Sequence, residues 1–425
     1  MTSSDRALGG WSIRRGRTRR GLLGATVAGA LLAACGTPPA GGRKEDSGGA
    51  LSGEAIRVGA VVPLTGRYAP FGEHIKNAYD LAVEDVNRNG GVDAGGHKRQ
   101  LELLVLDDES DPTKTVQRLE TLDARNRVAA YLGGAGSDLH AAAAAVAEKN
   151  RVPYLGIAFS LLSVHKHGYR YLFSPFPKSP DVARVSFDLL DSLDPRPTRV
   201  AIFAESTDWG DELGALWRDE LRGRGYQLVA DERYTPGARD YVPLIARARD
   251  GGTQALLALP TGPDGIALVK QMKELAFTPA ASVILRAPDG ATWAQNLGRD
   301  GDGAMQIVGW SATGTIPGAR ELARRYQERH NRPPGSSTGS AYAVVQVLAD
   351  ALGRAGSTDR QAIRDALAAT NLTTTAIGPV RFNPDGSGQV AAVVTQYQDG
   401  EQVAVWPRGL AARPVVYPAK PFAER

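Results

Sequence analysis

Leu132-Gly133-Gly134-Ala135-Gly136-Ser137 follows a short apolar run and precedes an alanine-rich one. Glycines at such a junction let a ligand approach the backbone closely. Free N–H groups at a helix start, joined by the Ser137 hydroxyl, form an anion site that suits a carboxylate as well as a phosphate. The plainer alternative is an ordinary strand-to-helix turn. A dinucleotide fingerprint would need G-x-G-x-x-G, which this segment lacks. Ala158-Phe159-Ser160 closes the next apolar run. Ligands of parallel sheets sit beyond the C-terminal ends of the strands, so Ser137 and Ser160 are placed to face one cleft, unless Ser160 is only a turn residue. Gly335-Ser336-Ser337-Thr338-Gly339 matches G-x-S-x-G. A nucleophilic serine needs a strand before it, whereas Arg332-Pro333-Pro334 makes a loop, so the segment reads as a helix N-cap. His165-x-His167 is half a metal site without an evident partner. Asp107-Asp108-Glu109 reads as a solvated strand end. No metal or cofactor is expected.

The elements that would position these residues alternate. Ile56–Pro63, Leu101–Leu106, Val128–Leu132 and Val152–Ile157 read as buried strands. Glu73–Asn89 carries an apolar stripe at helical spacing and stops at Asn89-Gly90-Gly91. Asp111-Pro112 suits an N-cap followed by proline, opening a helix that runs to about Arg127. Leu139–Asn150 reads as a helix. Beyond Phe173 the rhythm restarts, with strands at Arg199–Ala204, Gln227–Ala230, Gln254–Leu259 and Ser282–Leu285. Helices are expected at Pro180–Leu193, Asp211–Arg224, Tyr241–Asp250, Gly265–Ala276, Ala319–His330, Gly339–Gly353 and Asp359–Thr370. Two strands near Gln389–Tyr397 and Gln402–Trp406 close the chain. Such alternation means an α/β fold of mostly parallel sheets covered by helices. Ser174–Pro180 and Pro379–Gly388 are candidate crossings between lobes.

The chain has 425 residues, 42% hydrophobic and 23% charged, an ordinary globular balance. Its formal charge of +4 resides at the start: without the six arginines and Asp5 of residues 1–34, 44 of 50 basic and 45 of 46 acidic residues remain. A nucleic-acid partner is therefore not indicated. The single cysteine, Cys35, excludes an internal disulfide. Arg14–Arg20 and the apolar Gly21–Ala34 make an export signal too short to span a membrane comfortably. Leu32-Ala33-Ala34-Cys35 resembles the bacterial lipobox, which implies a diacylated Cys35 at the mature N-terminus. Thr18-Arg19-Arg20-Gly21-Leu22-Leu23 resembles a twin-arginine signal, with the general export route as the alternative. Residues 36–53 lack apolar periodicity and read as a flexible linker. No later apolar run reaches transmembrane length, so lipid is the expected anchor on the periplasmic or cell-surface side.

In order and spacing, several segments resemble the class I periplasmic solute-binding proteins, within them the branched-chain amino-acid (leucine/isoleucine/valine) binding family of ABC transporters. They are IRVGAVVPLTGRYAPFGEHIKNAYDLAVEDVNRNGG, LELLVLDDESDPTKTVQRLETL, the 133–137 loop, VAIFAESTDWGDEL, LLALPTGPDGIALVKQMKELAF, ILRAPDG and PVRFNPDGSG, covering about residues 54–408. The resemblance implies two Rossmann-like lobes joined by three crossover segments (periplasmic binding protein type I), with the ligand between them. It implies one lobe at 54–176 plus about 310–380 and another at about 177–309 plus 381–408, after a signal peptide (1–34) and the lipidated Cys35 with its linker (35–53). A tail follows at 409–425. Ser137, Ala158 and Ser160 are implied to hold the ligand's carboxylate, and Asp289 its ammonium. Phe71 and Trp209 are implied to line the cleft, with Thr261 where the family has an aromatic residue. Asp289 is shorter than the glutamate common in the family, and Phe159 is bulkier than usual there. Arg286 could pair with Asp289 or meet an acidic ligand. The implied function is a non-enzymatic substrate-binding lipoprotein of an ABC importer, with permease subunits, a small-molecule ligand (amino acid or analogue) and the membrane as partners. A sensor or binder of amides or other small solutes on the same fold is the alternative, and an exported hydrolase built on Ser337 a third.

Overall fold

The structure is a computed structural model that describes residues 54–425. The export signal, Cys35 and the linker all lie outside the described residues.

The first sheet is built from β1 (Ile56–Val62), β2 (Leu101–Asp107), β3 (Ala130–Leu132), β4 (Tyr154–Leu155) and β5 (Leu172–Phe173). It is wholly parallel, in the order β2-β1-β3-β4-β5. Parallel neighbours need crossover helices, and the chain supplies α1 (Ala69–Arg88), α2 (Pro112–Asn126) and α3 (Ser137–Asn150). The Asp111 side chain caps α2, accepting from the Thr113 and Lys114 N–H groups. β1 is buried along nearly its whole length, as a strand covered on both faces must be.

The second sheet holds β6 (Arg199–Glu205), β7 (Gln227–Tyr234), β8 (Ala255–Ala258), β9 (Ala281–Ile284), β10 (Ala304–Val308), β11 (Val393–Gln398) and β12 (Glu401–Trp406). Its order is β12-β11-β10-β9-β8-β6-β7, parallel except for the antiparallel pairs at β10–β11 and β11–β12. Helices α4 (Ser179–Asp191), α5 (Asp208–Gly223), α6 (Val242–Asp250), α7 (Gly262–Glu274) and α8 (Gly290–Leu297) accompany it. The chain then returns to the first sheet's side, where α9 (Ala319–His330) and α10 (Thr338–Ala355) pack on α1, and α11 (Arg360–Ala368) packs on α10. Ser174 and Ser387 form a parallel bridge, so two of the passages between the sheets run side by side.

In each sheet the strand order reverses beside the first strand, between β1 and β3 and between β6 and β8. Loops leaving strands at such a point diverge and open a crevice at the C-terminal ends.

Several expectations shift. Val128 and Ala129 precede β3 rather than opening it, because Arg127 ends α2 in the left-handed region and the chain needs two residues to turn. The helix expected at 73–89 starts earlier, at Ala69, with Pro70 in its first turn, where a missing N–H costs nothing. β5 and β10 were not anticipated: the first has only two residues, and Gln306 interrupts the apolar run of the second. A small three-stranded sheet at 371–389 was also missed. Asp108 is not solvated: it is 1% exposed, and burial pushes its carboxyl up to about 6. The tail beyond residue 408 packs on the second sheet, through Val416 N–H to Gln396 Oε1 (2.8 Å) and the Gln396 Nε2–H donated to the Val416 carbonyl (2.9 Å).

Candidate functional site

A cavity of about 600 Å³, its open mouth included, lies where the C-terminal ends of the two sheets meet. On the first side it is lined by Tyr68, Phe71, Ala135–Ser137 and Ala158–Ser160, on the second by Trp209, Leu285, Arg286 and Gln306–Val308. Ser336 and Ser337, at the start of α10, also reach it.

The first wall is shaped by close backbone approach. A Cβ on Gly134 would stand 2.4 Å from Pro63 Cδ, and one on Gly136 2.5 Å from the Tyr68 ring. Gly136 has φ 105°, so only glycine fits there without strain. Its N–H donates to the Ala158 carbonyl at 3.2 Å, tying the two loops together. The Tyr79 hydroxyl donates to the Gly133 carbonyl at 2.6 Å and fixes the loop from behind. α3 begins at Ser137, and its first-turn N–H groups have no partner within the helix. Ser137 and Ser160 are buried at 8% and 6% exposure. Asp138 in the same turn is engaged by Arg67 and by the Tyr68 hydroxyl at 3.1 Å. Ala158, at φ 51°, is a left-handed residue with a side chain, a strained geometry of the kind that collects at ligand sites.

Behind this wall lies a buried basic cluster. The Phe159 ring stacks on His140 at 4.2 Å and on His165 at 5.8 Å, and Lys178 Nζ stands 3.5 Å from its centroid. Lys178 donates to the Phe159 carbonyl (3.0 Å) and Ser174 Oγ (2.7 Å), and burial pulls its pKa well down. His140 and His165 are each pulled down to about 3, chiefly by burial. His165 therefore serves the crossing segment, where its Nδ1 meets the Asp385 carbonyl at 2.9 Å, and His167 is exposed. No group of three or more His, Cys, Asp or Glu among the described residues is arranged to hold a metal ion.

The second wall centres on Arg286, also left-handed at φ 66°. Its Nη2 donates to Glu205 Oε2 and to the Leu259 carbonyl, both at 2.6 Å. The guanidinium lies 4.8 Å over Trp209, and its buried Nε has no hydrogen-bond partner. Burial alone would lower the Arg286 pKa, but the Glu205 carboxylate, with Tyr68 and Tyr234, more than offsets this and moves it up. Trp209 Nε1 donates to Ser179 Oγ at 3.2 Å, and Gln306 Nε2 to the Pro288 carbonyl at 2.6 Å.

Of the sequence-derived ligand candidates, Phe71, Ser137, Ala158, Ser160 and Trp209 line the cavity. Asp289 and Thr261 do not. Asp289 turns across to α10, where Oδ1 accepts from the Ser336 N–H and Oδ2 from the Ser336 hydroxyl, each at 2.9 Å. It stands at the N-cap position of α8 without bonding that helix through its side chain. Thr261 is buried at the start of α7. Arg286 pairs not with Asp289 but with Glu205, 81 residues away in the chain. Ser337 sits at the N-cap position of α10 yet makes no side-chain cap bond. Tyr68 and Ser336 were missed. The only signal for Tyr68 was an aromatic residue just ahead of a proline-opened helix, and Ser336 stood in the G-x-S-x-G segment, which reads as a helix N-cap and not as a ligand site.

The model of the periplasmic binding protein family matches residues 55–402. The Leu/Ile/Val-binding protein homolog 7 of Brucella abortus is 24% identical over 391 residues, covering 88% of this chain and 96% of that protein. The branched-chain amino-acid transporter substrate-binding protein LivJ of Streptococcus pneumoniae, solved with isoleucine, superposes with a TM-score of 0.75 at 21% identity, covering 86% of this chain and 100% of that one. A solute-binding protein of an ABC transporter from R. palustris, solved with benzoate, gives 0.73 at 18% identity, covering 85% and 98%. The chain belongs to the periplasmic binding protein family.

Proposed function

We propose that this periplasmic binding protein is the ligand-capturing subunit of an ABC importer, holding a small carboxylate of the amino-acid size class between two lobes. The lobes would be 54–176 plus about 310–380, and about 177–309 plus 381–408. The observation that carries the reading is the cavity where the parallel strands of the two sheets present their C-terminal ends, with the start of α3 on one side and aromatic and aliphatic side chains opposite. Unpaired helix-start N–H groups and the Ser137 hydroxyl suit a carboxylate, and Phe71, Trp209 and Ile307 suit its apolar body. A relative named for leucine, isoleucine and valine, and neighbours solved with isoleucine and benzoate, support a ligand of this class. Lipidation of Cys35 would hold the protein at the outer side of the membrane, near the permease subunits. Release of the protein from the membrane fraction in Cys35→Ala tests that anchor.

Calorimetry of the full chain against the amino acids and simple organic carboxylates tests the function. One class should bind one to one. A ligand at about 100 times its dissociation constant should add about 2.7 kcal/mol of stability. A screen in which no solute binds would remove the reading.

A further inference from the structure

The walls of the cavity carry one formally charged side chain, Arg286, and no carboxylate. The acids nearest it are all spent. Glu205 accepts from Arg286 and from Thr207 Oγ1 at 2.9 Å. Asp138 is held by Arg67 and Tyr68, and Asp289 gives both oxygens to Ser336.

A free α-amino acid brings a cation as well as an anion. A cation enclosed away from water needs a carboxylate or several strong acceptors around it. Here the ammonium would meet the Arg286 guanidinium, and to gain an acid it would have to take Glu205 from Arg286 or Asp289 from Ser336. Each exchange strands a group that is satisfied in the structure. An anion meets the opposite situation: it gains the start of α3 and breaks no existing pair.

Resting on the solute-binding reading above, we infer that the ligand is a monocarboxylate with an apolar aliphatic or aromatic body and no amino group, selected against α-amino acids because the cavity offers no unengaged carboxylate. Its carboxylate lies toward Ser137 and its body against Trp209 and Phe71. The glycine loop alone would accept either class; the second wall decides between them.

The test is isothermal calorimetry of the full chain at pH 7 with two matched pairs that differ only in the amino group: 4-methylpentanoate against leucine, and 3-phenylpropanoate against phenylalanine. The acid lacking the amino group should bind about tenfold tighter or more in at least one pair, with no pair reversed. Equal or tighter binding of the amino acid in either pair overturns the inference while leaving the solute-binding reading intact. Binding of a neutral or cationic solute, with none of the four carboxylates bound, overturns it as well. Failure of every solute class removes the reading beneath it.

Discussion

At the end of β3 the chain places glycines and a serine; at the end of β9 it places an arginine. Each wall carries a left-handed residue with a side chain, Ala158 beyond β4 and Arg286 beyond β9, so both hold their backbone in an uncommon shape. They use it differently. The first wall turns backbone donors and hydroxyls toward the cavity, while its acid, Asp138, is held aside by Arg67 and Tyr68. The second wall closes its charges on themselves, Arg286 with Glu205, and sends Asp289 across to Ser336 of the opposite side. One wall attracts an anion by unspent donors, and the other selects by having no acid to spare. Family likeness alone does not reveal this, because it depends on where three carboxylates spend their oxygens.

The comparison breaks most easily at Ser137. Ser137→Ala should weaken ligand binding by about 1.5–3 kcal/mol, the range for a hydrogen bond to a charged group, with little change in melting of the free protein. Unchanged affinity in calorimetry would take the hydroxyl out of the first wall's work.

The buried histidines behind that wall give a pH signature. The folded pKa of His140 is depressed to about 3, so its contribution to stability is full above the ordinary value near 6.5 and is lost as pH falls from there toward 3. Relative to His140→Gln, the wild type should lose about 1.6 kcal/mol between pH 6.5 and 5, measured by urea unfolding at both values. A constant difference between the two proteins would mean that His140 titrates normally.

The smallest effect is expected where the walls meet. Asp289→Asn keeps one acceptor for Ser336 and removes the charge, so affinity should fall by about 1 kcal/mol, roughly fivefold. A loss of two decades or more would make Asp289 a direct partner of a ligand cation and would erase the contrast between the walls.

The rhythm of strands and helices was legible because buried parallel strands are continuous apolar runs and their helices carry one apolar stripe; Ile56–Val62 and Ala319–His330 are clear cases. The Asp111-Pro112 cap and the glycine loop were legible for a local reason: caps and tight turns are set by residues two or three apart. β5 was not, since two residues carry no period, and its place comes from pairing with β4.

The site divides along the same line. The sequence by itself determined the α/β order and the loop that leads into α3; of the five expected residues that line the cavity, Ser137, Ala158 and Ser160 belong to motifs at a strand end or helix start, and Phe71 and Trp209 came from the family resemblance. Only the tertiary structure decided which charges face the ligand. Asp289 meets Ser336 over a separation of 47 residues and Arg286 meets Glu205 over 81, and such pairings leave no mark in local pattern. A side chain's charge is a property of the sequence, but whether that charge is available depends on the partner that folding brings within hydrogen-bond reach.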